Sequence, residues 1–219
     1  TRIAGAIVKT PTLISQTLSD MLGCKVYLKF ENLQFTAAYK ERGALNRLLQ
    51  LDDASKAKGV IAASAGNHAQ GLAYHGKRLG VPVTIVMPTT TPIIKVTQTR
   101  SHGATVVQFG EKFDDAYAHA RELEAAQGLT FVHPFDEPDI IAGQGTVGLE
   151  LEDQVPDLDV VFISVGGGGL ISGTGGYLRA AHRAVEVIGA SPENSSVMEA
   201  SLREGRILDM PSEPTLSDG

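Results

Sequence analysis

Residues 160–173 have the sequence VVFISVGGGGLISG, an apolar run followed by four consecutive glycines and a second apolar stretch. An uninterrupted apolar run of this kind is typical of a strand that is buried on both faces of a parallel sheet. The glycines let the chain turn sharply before a helix that begins near Leu170. We therefore predict a strand–loop–helix unit. Its loop favours an anion site, because free amides and a helix N-terminus both present positive partial charge.

The same alternation of strand and helix continues along the rest of the chain. Apolar runs predict strands, and apolar residues at helical spacing predict helices. The predicted strands are 26–31, 60–64, 83–87, 104–109, 131–132, 160–165 and 185–189, and the predicted helices are 40–51, 67–79, 92–103, 113–127, 140–151 and 170–181. We therefore predict an α/β fold with open, mostly parallel sheets covered by helices.

Two segments are candidate crossings between lobes. One is the turn at Lys58 and Gly59, and the other is the proline-marked segment 134–138, PFDEP. We expect residues 58–139 to form a smaller domain inserted into a larger one made of residues 1–57 and 140–219. A ligand would then bind between the two lobes.

The composition argues against several classes of protein. Lys and Arg number 19 against 25 Asp and Glu, for a net charge of −6, so binding to a nucleic-acid backbone is not expected. The single cysteine, Cys24, cannot form an internal disulfide and is typical of a reducing compartment. No apolar run approaches the roughly 18 residues that cross a bilayer. We expect a cytoplasmic protein with neither a membrane nor a nucleic acid as its partner.

Residues 64–70, SAGNHAQ, lie between a predicted strand and a predicted helix. Ser64 and Asn67 are both common helix-capping residues, so capping alone is one interpretation of this turn. The other is that the turn presents its amides to a substrate carboxylate. The residues by themselves leave both interpretations open.

Residues 32–43, NLQFTAAYKERG, place Lys40 where a loop meets the start of a predicted helix. The helix dipole disfavours a protonated amine there, and apolar neighbours would desolvate it. Imine chemistry requires a lysine with such a lowered pKa. Without other motifs, however, a lysine in a first helical turn is more often a solvated charge.

The histidines carry little functional signal. None has the spacing that metal ligands require, so solvated or hydrogen-bonded structural roles are favoured. These histidines are His75, His102, His119, His133 and His182.

Four motifs together resemble the fold-type II pyridoxal-phosphate enzymes, and most closely the catabolic threonine dehydratases and their serine racemase relatives. The motifs are TAAYKERGA, SAGNHAQG, AGQGTVGLE and VGGGGLISG, and they cover essentially the whole chain in order. The resemblance implies a two-lobed fold like that of the tryptophan synthase β-subunit, with pyridoxal 5′-phosphate between the lobes. It also implies elimination of water from L-threonine or L-serine, which gives 2-oxobutanoate or pyruvate and ammonia. A homodimer or homotetramer and a place in amino-acid metabolism, including isoleucine biosynthesis, are implied as well.

The resemblance assigns roles to individual residues. Lys40 matches the lysine that binds the cofactor covalently and later acts as the base at the substrate α-carbon. Tyr39 matches an aromatic residue that packs against the pyridine ring, and Asn67 matches an asparagine that bonds to the ring hydroxyl. The phosphate loop corresponds to Gly166, Gly167, Gly168, Gly169 and Leu170. The turn that receives the substrate carboxylate corresponds to Ser64, Ala65, Gly66, Asn67 and His68, with Gln144 lining the same cleft.

Some positions depart from the family pattern. Ala65 stands where the racemases have a serine that acts as acid and base, which favours elimination over racemisation. Ser191, before Pro192, and Val197 stand where related enzymes have acidic metal ligands, so we expect no strong Mg²⁺ or Ca²⁺ site. Ala38 replaces the serine that usually precedes the aromatic residue.

The family's catalytic domains continue beyond residue 219, so we expect this chain to be part of a longer one. Serine racemase and 3-hydroxyaspartate dehydratase are the alternatives within the same fold. A non-catalytic module that binds a phosphate or a nucleotide is the alternative from a different class.

Overall fold

Strands and helices alternate along residues 1–181, 184–210, 215 and 217, which the computed structural model describes. The strands are β1 (Thr12–Ile14), β2 (Tyr27–Lys29), β3 (Val60–Ala63), β4 (Val83–Met87), β5 (Thr105–Gln108), β6 (Thr130–Phe131), β7 (Val160–Ser164) and β8 (Glu186–Ala190). The helices are α1 (Gln16–Leu22), α2 (Lys40–Leu49), α3 (Asp53–Lys58), α4 (Asn67–Leu79), α5 (Ile93–Ser101), α6 (Phe113–Gln127), α7 (Pro138–Gln154), α8 (Gly169–Ala181) and α9 (Val197–Glu204).

A four-stranded parallel sheet has the order β5-β4-β3-β6. All four residues of β3 are buried, as expected for an apolar strand inside a covered parallel sheet. Ala62 packs in a cluster with Leu48 of α2 and Leu72 of α4. Ile61, the next residue along the pleat, packs with Ala116 of α6 on the opposite face. The sheet therefore has helices on both faces, and all its strands lie within residues 58–139.

Helices α2 and α8 both pack against α7 through glycines. A Cβ on Gly143 would lie 2.5 Å from the Cα of Gly43, and a Cβ on Gly173 would lie 2.2 Å from the carbonyl oxygen of Ile141. These contacts leave no room for a side chain, so the helix backbones meet directly. The position of α2, and hence of Lys40 at its start, is fixed against α7.

Several parts of the chain differ from the sequence-based prediction, which contained none of β1, α1, α3 and α9. Strand β2 pairs antiparallel with β1, with α1 between them in the chain, although no strand was predicted before residue 26. The apolar strand β7 pairs in parallel with β8, but its burial alternates: Ile163 is 5% exposed and Phe162 is 71% exposed. Helix α8 packs against this small sheet, and Phe162 points to the other face.

Within the described part of the chain, none of the helices combines the length and the hydrophobicity that a bilayer-spanning segment requires.

Candidate active site

A cavity of about 880 Å³ collects loops from several parts of the fold. It lies at the start of α2 and beyond the carboxyl ends of β3, β6, β7 and β8, where parallel α/β sheets commonly bind ligands. Its lining includes Tyr39, Lys40, Ala63, Ser64, Ala65, Gly66, Asn67, His68, Lys95, Phe113, Pro134, Phe135, Ser164, Val165, Gly166, Gly167, Gly168, Gly169, Leu170, Ala190, Ser191 and Pro192. The structure thus brings the three predicted motifs together around one space.

Lys40 is the first residue of α2, and its side chain is directed into the protein. Its Nζ donates a hydrogen bond to the carbonyl oxygen of Pro134 at 2.8 Å. The same nitrogen lies 5.6 Å from the centre of the Tyr39 ring and 5.9 Å from that of Phe135. Burial lowers the pKa of Lys40 to about 8, because the charged form loses its hydration. An amine that is partly neutral near physiological pH can form an imine.

The turn after β3 does not cap α4 in the ordinary way. The N-cap position of α4 is Gly66, without a side-chain cap, and Asn67 is the first helical residue. The Ser64 hydroxyl instead accepts a hydrogen bond from the Gly66 amide at 3.3 Å. Because neither polar side chain caps the helix, the capping interpretation is wrong. The turn from Ser64 to His68 lines the cavity.

His68 is 2% exposed at the base of this turn. Its Nε2 lies 3.2 Å from the carbonyl oxygen of Val132, to which it donates when that nitrogen carries the ring proton. Burial, together with the nearby positive charge of Lys40, lowers the pKa of His68 to about 3. The ring is therefore neutral at physiological pH.

The glycine loop between β7 and α8 is shaped by its contact with Phe135. A Cβ on Gly167 would lie 2.4 Å from the Phe135 ring, and one on Gly169 would lie 2.9 Å from the Phe135 Cβ. Gly168 has a φ of +85°, in the left-handed region that favours glycine. Helix α8 begins at Gly169, so its first amides have no acceptor within the helix. This combination can bind a phosphate group.

Gln144 is not among the residues that line the cavity, which differs from the expectation. Its side chain is 1% exposed, and a Cβ on Gly43 would lie 2.6 Å from its Nε2. The motif AGQGTVGLE, which contains Gln144, lies within α7 and uses its glycines for helix packing. A Cβ on Gly145 would lie 3.1 Å from the carbonyl oxygen of Gly173, and one on Gly148 would lie 2.9 Å from that of Thr174.

Other cavity residues were missed at the level of sequence. Phe135 lies in the proline-marked segment, which was assigned only a boundary role, and Lys95 is on α5 without a recognised motif. Ser191 and Pro192, which were considered only as a departure from the family's metal site, also line the cavity. No pattern in the sequence distinguishes Phe135 and Lys95 from ordinary loop or helix residues.

Histidine, cysteine, aspartate and glutamate side chains form no cluster of three that could hold a metal ion in the described part of the chain. The absence of a strong Mg²⁺ or Ca²⁺ site stays a prediction. His182 lies outside the described residues.

The groups around the cavity fit pyridoxal phosphate. Lys40 offers a buried amine for an aldehyde, and Tyr39 lines the space beside it. The loop of Gly166 to Gly169, where a side chain on Gly167 or Gly169 would collide with Phe135, offers amides to a phosphate. An amine, a flat aromatic contact and an anion cradle are the features that this cofactor's chemistry and charge require.

This fold and this set of groups define a pyridoxal-phosphate-dependent enzyme, and the chain belongs to that family: the family described as "Pyridoxal-phosphate dependent enzyme" matches residues 3–219. The L-threonine ammonia-lyase of Thermotoga maritima is 46% identical over 217 residues, which are 99% of this chain and 54% of that protein. The L-threo-3-hydroxyaspartate ammonia-lyase of Saccharomyces cerevisiae is 41% identical over 218 residues, which are 100% of this chain and 67% of that protein.

Solved structures support the same assignment. The structure of maize serine racemase superimposes with a TM-score of 0.94 at 33% identity, over 97% of this chain and 65% of that one. The predicted fold class and family are therefore confirmed. The chain spans about half the length of the L-threonine ammonia-lyases that it matches, 54% in two of them.

Proposed function

We propose that this chain forms the cofactor-binding region of an L-threonine ammonia-lyase that also accepts L-serine. The observation that carries the proposal is that one cavity contains the buried amine of Lys40, the turn from Ser64 to His68 and the glycine loop. The similarity to the Thermotoga maritima L-threonine ammonia-lyase supports the choice of substrate class. The overall change converts L-threonine to 2-oxobutanoate and ammonia.

Each part of the cavity has a separate task in this proposal. The amides of Gly166 to Leu170 hold the cofactor phosphate, Tyr39 packs beside the pyridine ring, and Asn67 bonds to the ring hydroxyl. The turn from Ser64 to His68 binds the substrate carboxylate. Because burial keeps His68 neutral, its ring contributes hydrogen bonding and no charge.

Lys40 moves the proton that starts the reaction. Pyridoxal phosphate, when bound, withdraws electrons from the substrate α-carbon and so makes the loss of its proton feasible. The Nζ of Lys40, whose pKa burial lowers to about 8, accepts that proton. The β-hydroxyl then leaves together with one proton as water, so that the α-proton and the hydroxyl are lost in balance and the Lys40 amine is neutral again. A later water molecule replaces the substrate nitrogen, which departs as ammonia.

Ala65 favours elimination over racemisation. It lines the cavity, and its methyl group has no proton to give to the α-carbon. The racemase alternative needs a proton donor on the opposite face of that carbon. The 3-hydroxyaspartate alternative differs only in the substrate side chain, and discrimination of that kind depends on pocket contacts.

We also propose a division of the chain into two lobes. Residues 58–139 contain the four-stranded sheet, and we assign them to the smaller lobe, with residues 1–57 and 140–219 in the larger one. The turn from Ser64 to His68 then belongs to the small lobe, and Lys40 and the glycine loop to the large one. A cytoplasmic location and a homo-oligomeric assembly are part of the proposal.

The test is to supply the full-length protein and its Lys40→Ala variant with L-threonine, L-serine and L-threo-3-hydroxyaspartate. We expect 2-oxobutanoate and ammonia from L-threonine in equal amounts, pyruvate from L-serine, and neither product from the variant. The wild type should absorb visible light through its lysine-bound cofactor, and the variant should lose that band.

The proposal is wrong if the full-length protein forms no 2-oxobutanoate. Visible absorbance that is unchanged in the variant would exclude the role of Lys40. A phosphate-binding module without catalysis would show neither colour nor product.

A further inference from the structure

The loop after β6 contains a histidine whose ring accepts two backbone hydrogen bonds. Nδ1 of His133 accepts from the amide of Phe135 at 3.3 Å and from the amide of Asp136 at 2.8 Å. A ring nitrogen that accepts carries no proton, so the proton of the neutral ring lies on Nε2. The His133 amide donates to Glu137 Oε2 at 3.0 Å, which ties the turn at its other end.

This turn touches two of the groups that form the cavity. Its Pro134 carbonyl accepts the hydrogen bond from the Lys40 amine at 2.8 Å. Its Phe135 ring lies where a Cβ on Gly167 would come within 2.4 Å. The conformation of the turn therefore determines where the Pro134 carbonyl meets Lys40 and where the Phe135 ring packs against the glycine loop.

We propose that His133 is a positioning residue, whose unprotonated Nδ1 holds the turn that directs the Pro134 carbonyl to Lys40 and seats Phe135 against the glycine loop. Protonation of Nδ1 replaces an acceptor with a donor, so both amides lose their partner and the turn is released. The expected effect on catalysis rests on the proposed function. The expected release of the turn when His133 is protonated does not.

The charges around the ring favour the neutral form. Burial lowers the pKa of His133, and the positive charges of Lys40 on α2 and Arg121 on α6 lower it further. The neighbouring carboxylate of Asp136 acts in the opposite direction, while Glu137 is paired with Arg47. The rings of Phe135 and Phe131 also lie beside the His133 ring, at 4.6 and 6.3 Å between centres. The turn is therefore intact above the lowered pKa and is lost as the pH falls through it.

Two substitutions separate the geometry from the titration. In His133→Asn the amide oxygen takes the place of Nδ1 and does not titrate, so the turn is kept at every pH. In His133→Gln the oxygen lies one bond further out and cannot reach the two amides. Asn is thus a matched control that keeps the acceptor, and Gln is one that moves it.

The experiment measures the protection of the Phe135 and Asp136 amides against hydrogen exchange from pH 8 to pH 4, corrected for intrinsic exchange, in the full-length protein with its cofactor. We expect protection in the wild type to fall by about tenfold for each pH unit between the ordinary histidine pKa and the lowered pKa of the intact turn, since the unprotonated fraction of the ring in the released turn falls tenfold per unit there. The Asn variant should stay level, and the Gln variant should be unprotected throughout. Wild-type protection that does not depend on pH, or an Asn variant that titrates like the wild type, would overturn the proposal. If the Gln variant does not fold, the comparison with Asn still decides.

The acid limb of kcat/KM for L-threonine provides a second readout, which a purely structural residue would not move. It should shift to lower pH in His133→Asn. An identical limb in both proteins would overturn the link to catalysis. A protein that shows the titrating turn but forms no 2-oxobutanoate would refute the proposed function and leave this inference standing.

Discussion

Gly43 and Gly143 pack backbone against backbone, so that a Cβ on Gly143 would lie 2.5 Å from the Cα of Gly43 and 2.6 Å from the carbonyl oxygen of Arg42. Helices α2 and α7 therefore meet without side chains between them. Because Lys40 is one turn before Gly43 on the same helix, this contact positions the start of α2, where Lys40 lies.

Gly143→Ala is expected to destabilise the protein. The added methyl group meets backbone atoms that cannot rotate away, and overpacking of this kind costs about 1–3 kcal/mol. Urea unfolding of both proteins measures the change. Gly176→Ala is the matched control, because Gly176 lies within α8 with nothing within 4 Å of its Cβ position. Alanine there should raise the unfolding free energy by about 0.5–1 kcal/mol. Equal stabilities of the two variants would contradict the packing described.

Arg42→Ala is expected to lower the free energy of unfolding more than Gly143→Ala does. The guanidinium is fully buried, and it forms paired hydrogen bonds with Glu31 at 2.7 Å and with Glu150 at 2.7 and 2.9 Å. Its removal leaves two carboxylates near the core without this partner, and breaking a buried pair costs about 3–5 kcal/mol. Chemical unfolding measures the loss.

The exposed pair of Arg203 and Glu199 is the control for this variant. Because exposed pairs contribute about 0–1 kcal/mol, Arg203→Ala should change stability little. If Arg42→Ala and Arg203→Ala lower the free energy of unfolding by the same amount, the hydrogen bonds of Arg42 with Glu31 and Glu150 are not what stabilises α2.

Acid should weaken the same network. Burial alone would raise the pKa of Glu150, but hydrogen bonds from Arg42 and Lys29 outweigh it and leave the pKa lowered. A carboxyl group whose pKa is lower in the folded state than in the unfolded state stabilises the protein at pH values above its unfolded-state pKa. This contribution is lost as the pH falls through the folded-state pKa. Unfolding free energies between pH 6 and pH 3 should therefore fall more steeply in the wild type than in Glu150→Gln. Parallel curves would contradict this role.

Lys40 should react with amine reagents at a lower pH than other lysines. Burial lowers its pKa to about 8, whereas the pKa of Lys9 is raised by its hydrogen bond to Asp153. In cofactor-free protein, acetylation of Lys40 measured by peptide mass spectrometry should have its midpoint near pH 8, with Lys9 still protonated there. Stability should rise with pH between about 8 and 10.4, because only the unfolded chain keeps the lysine proton in that range. Titration of Lys40 together with Lys9 would refute the buried position.

Ala65→Ser should introduce racemisation if the proposed function holds. The substitution adds a hydroxyl group to the wall of the cavity that contains Lys40, and a hydroxyl can give and take a proton. Chiral chromatography after incubation with L-serine should detect D-serine from this variant and none from Ala65→Gly. The same D-serine yield from both variants would show that the residue at position 65 does not decide between the two reactions.

Much of the fold could be predicted because its helices carry clear end signals. Helix α4 was predicted at its observed limits, with Gly80 in the left-handed conformation after it, and α6 ends in the same way at Gly128. The pieces that were missed are short. Strand β1 has three residues and depends on its pairing with β2, and α3 has six residues and begins at the Asp52 cap. The division into lobes stays a prediction.

The candidate site was predicted where a motif carries its own chemistry and missed where distant residues meet. Lys40, the turn from Ser64 to His68 and the glycine loop all line the cavity. The Pro134 carbonyl that binds Lys40 is 94 positions away, so nothing local indicates it. Gln144 was assigned to the cleft because of its motif, but the glycines around it serve helix packing, which turns its side chain into the core.

Lys40 and Arg42 are two positions apart on one helix, yet the guanidinium is bound by acidic partners while the amine is bound by a neutral carbonyl. An ion-paired group and an amine with an uncharged partner thereby lie on neighbouring side chains. A carboxylate brought next to Lys40 would raise its pKa again and leave the amine protonated, even though every atom of the lysine would remain in place.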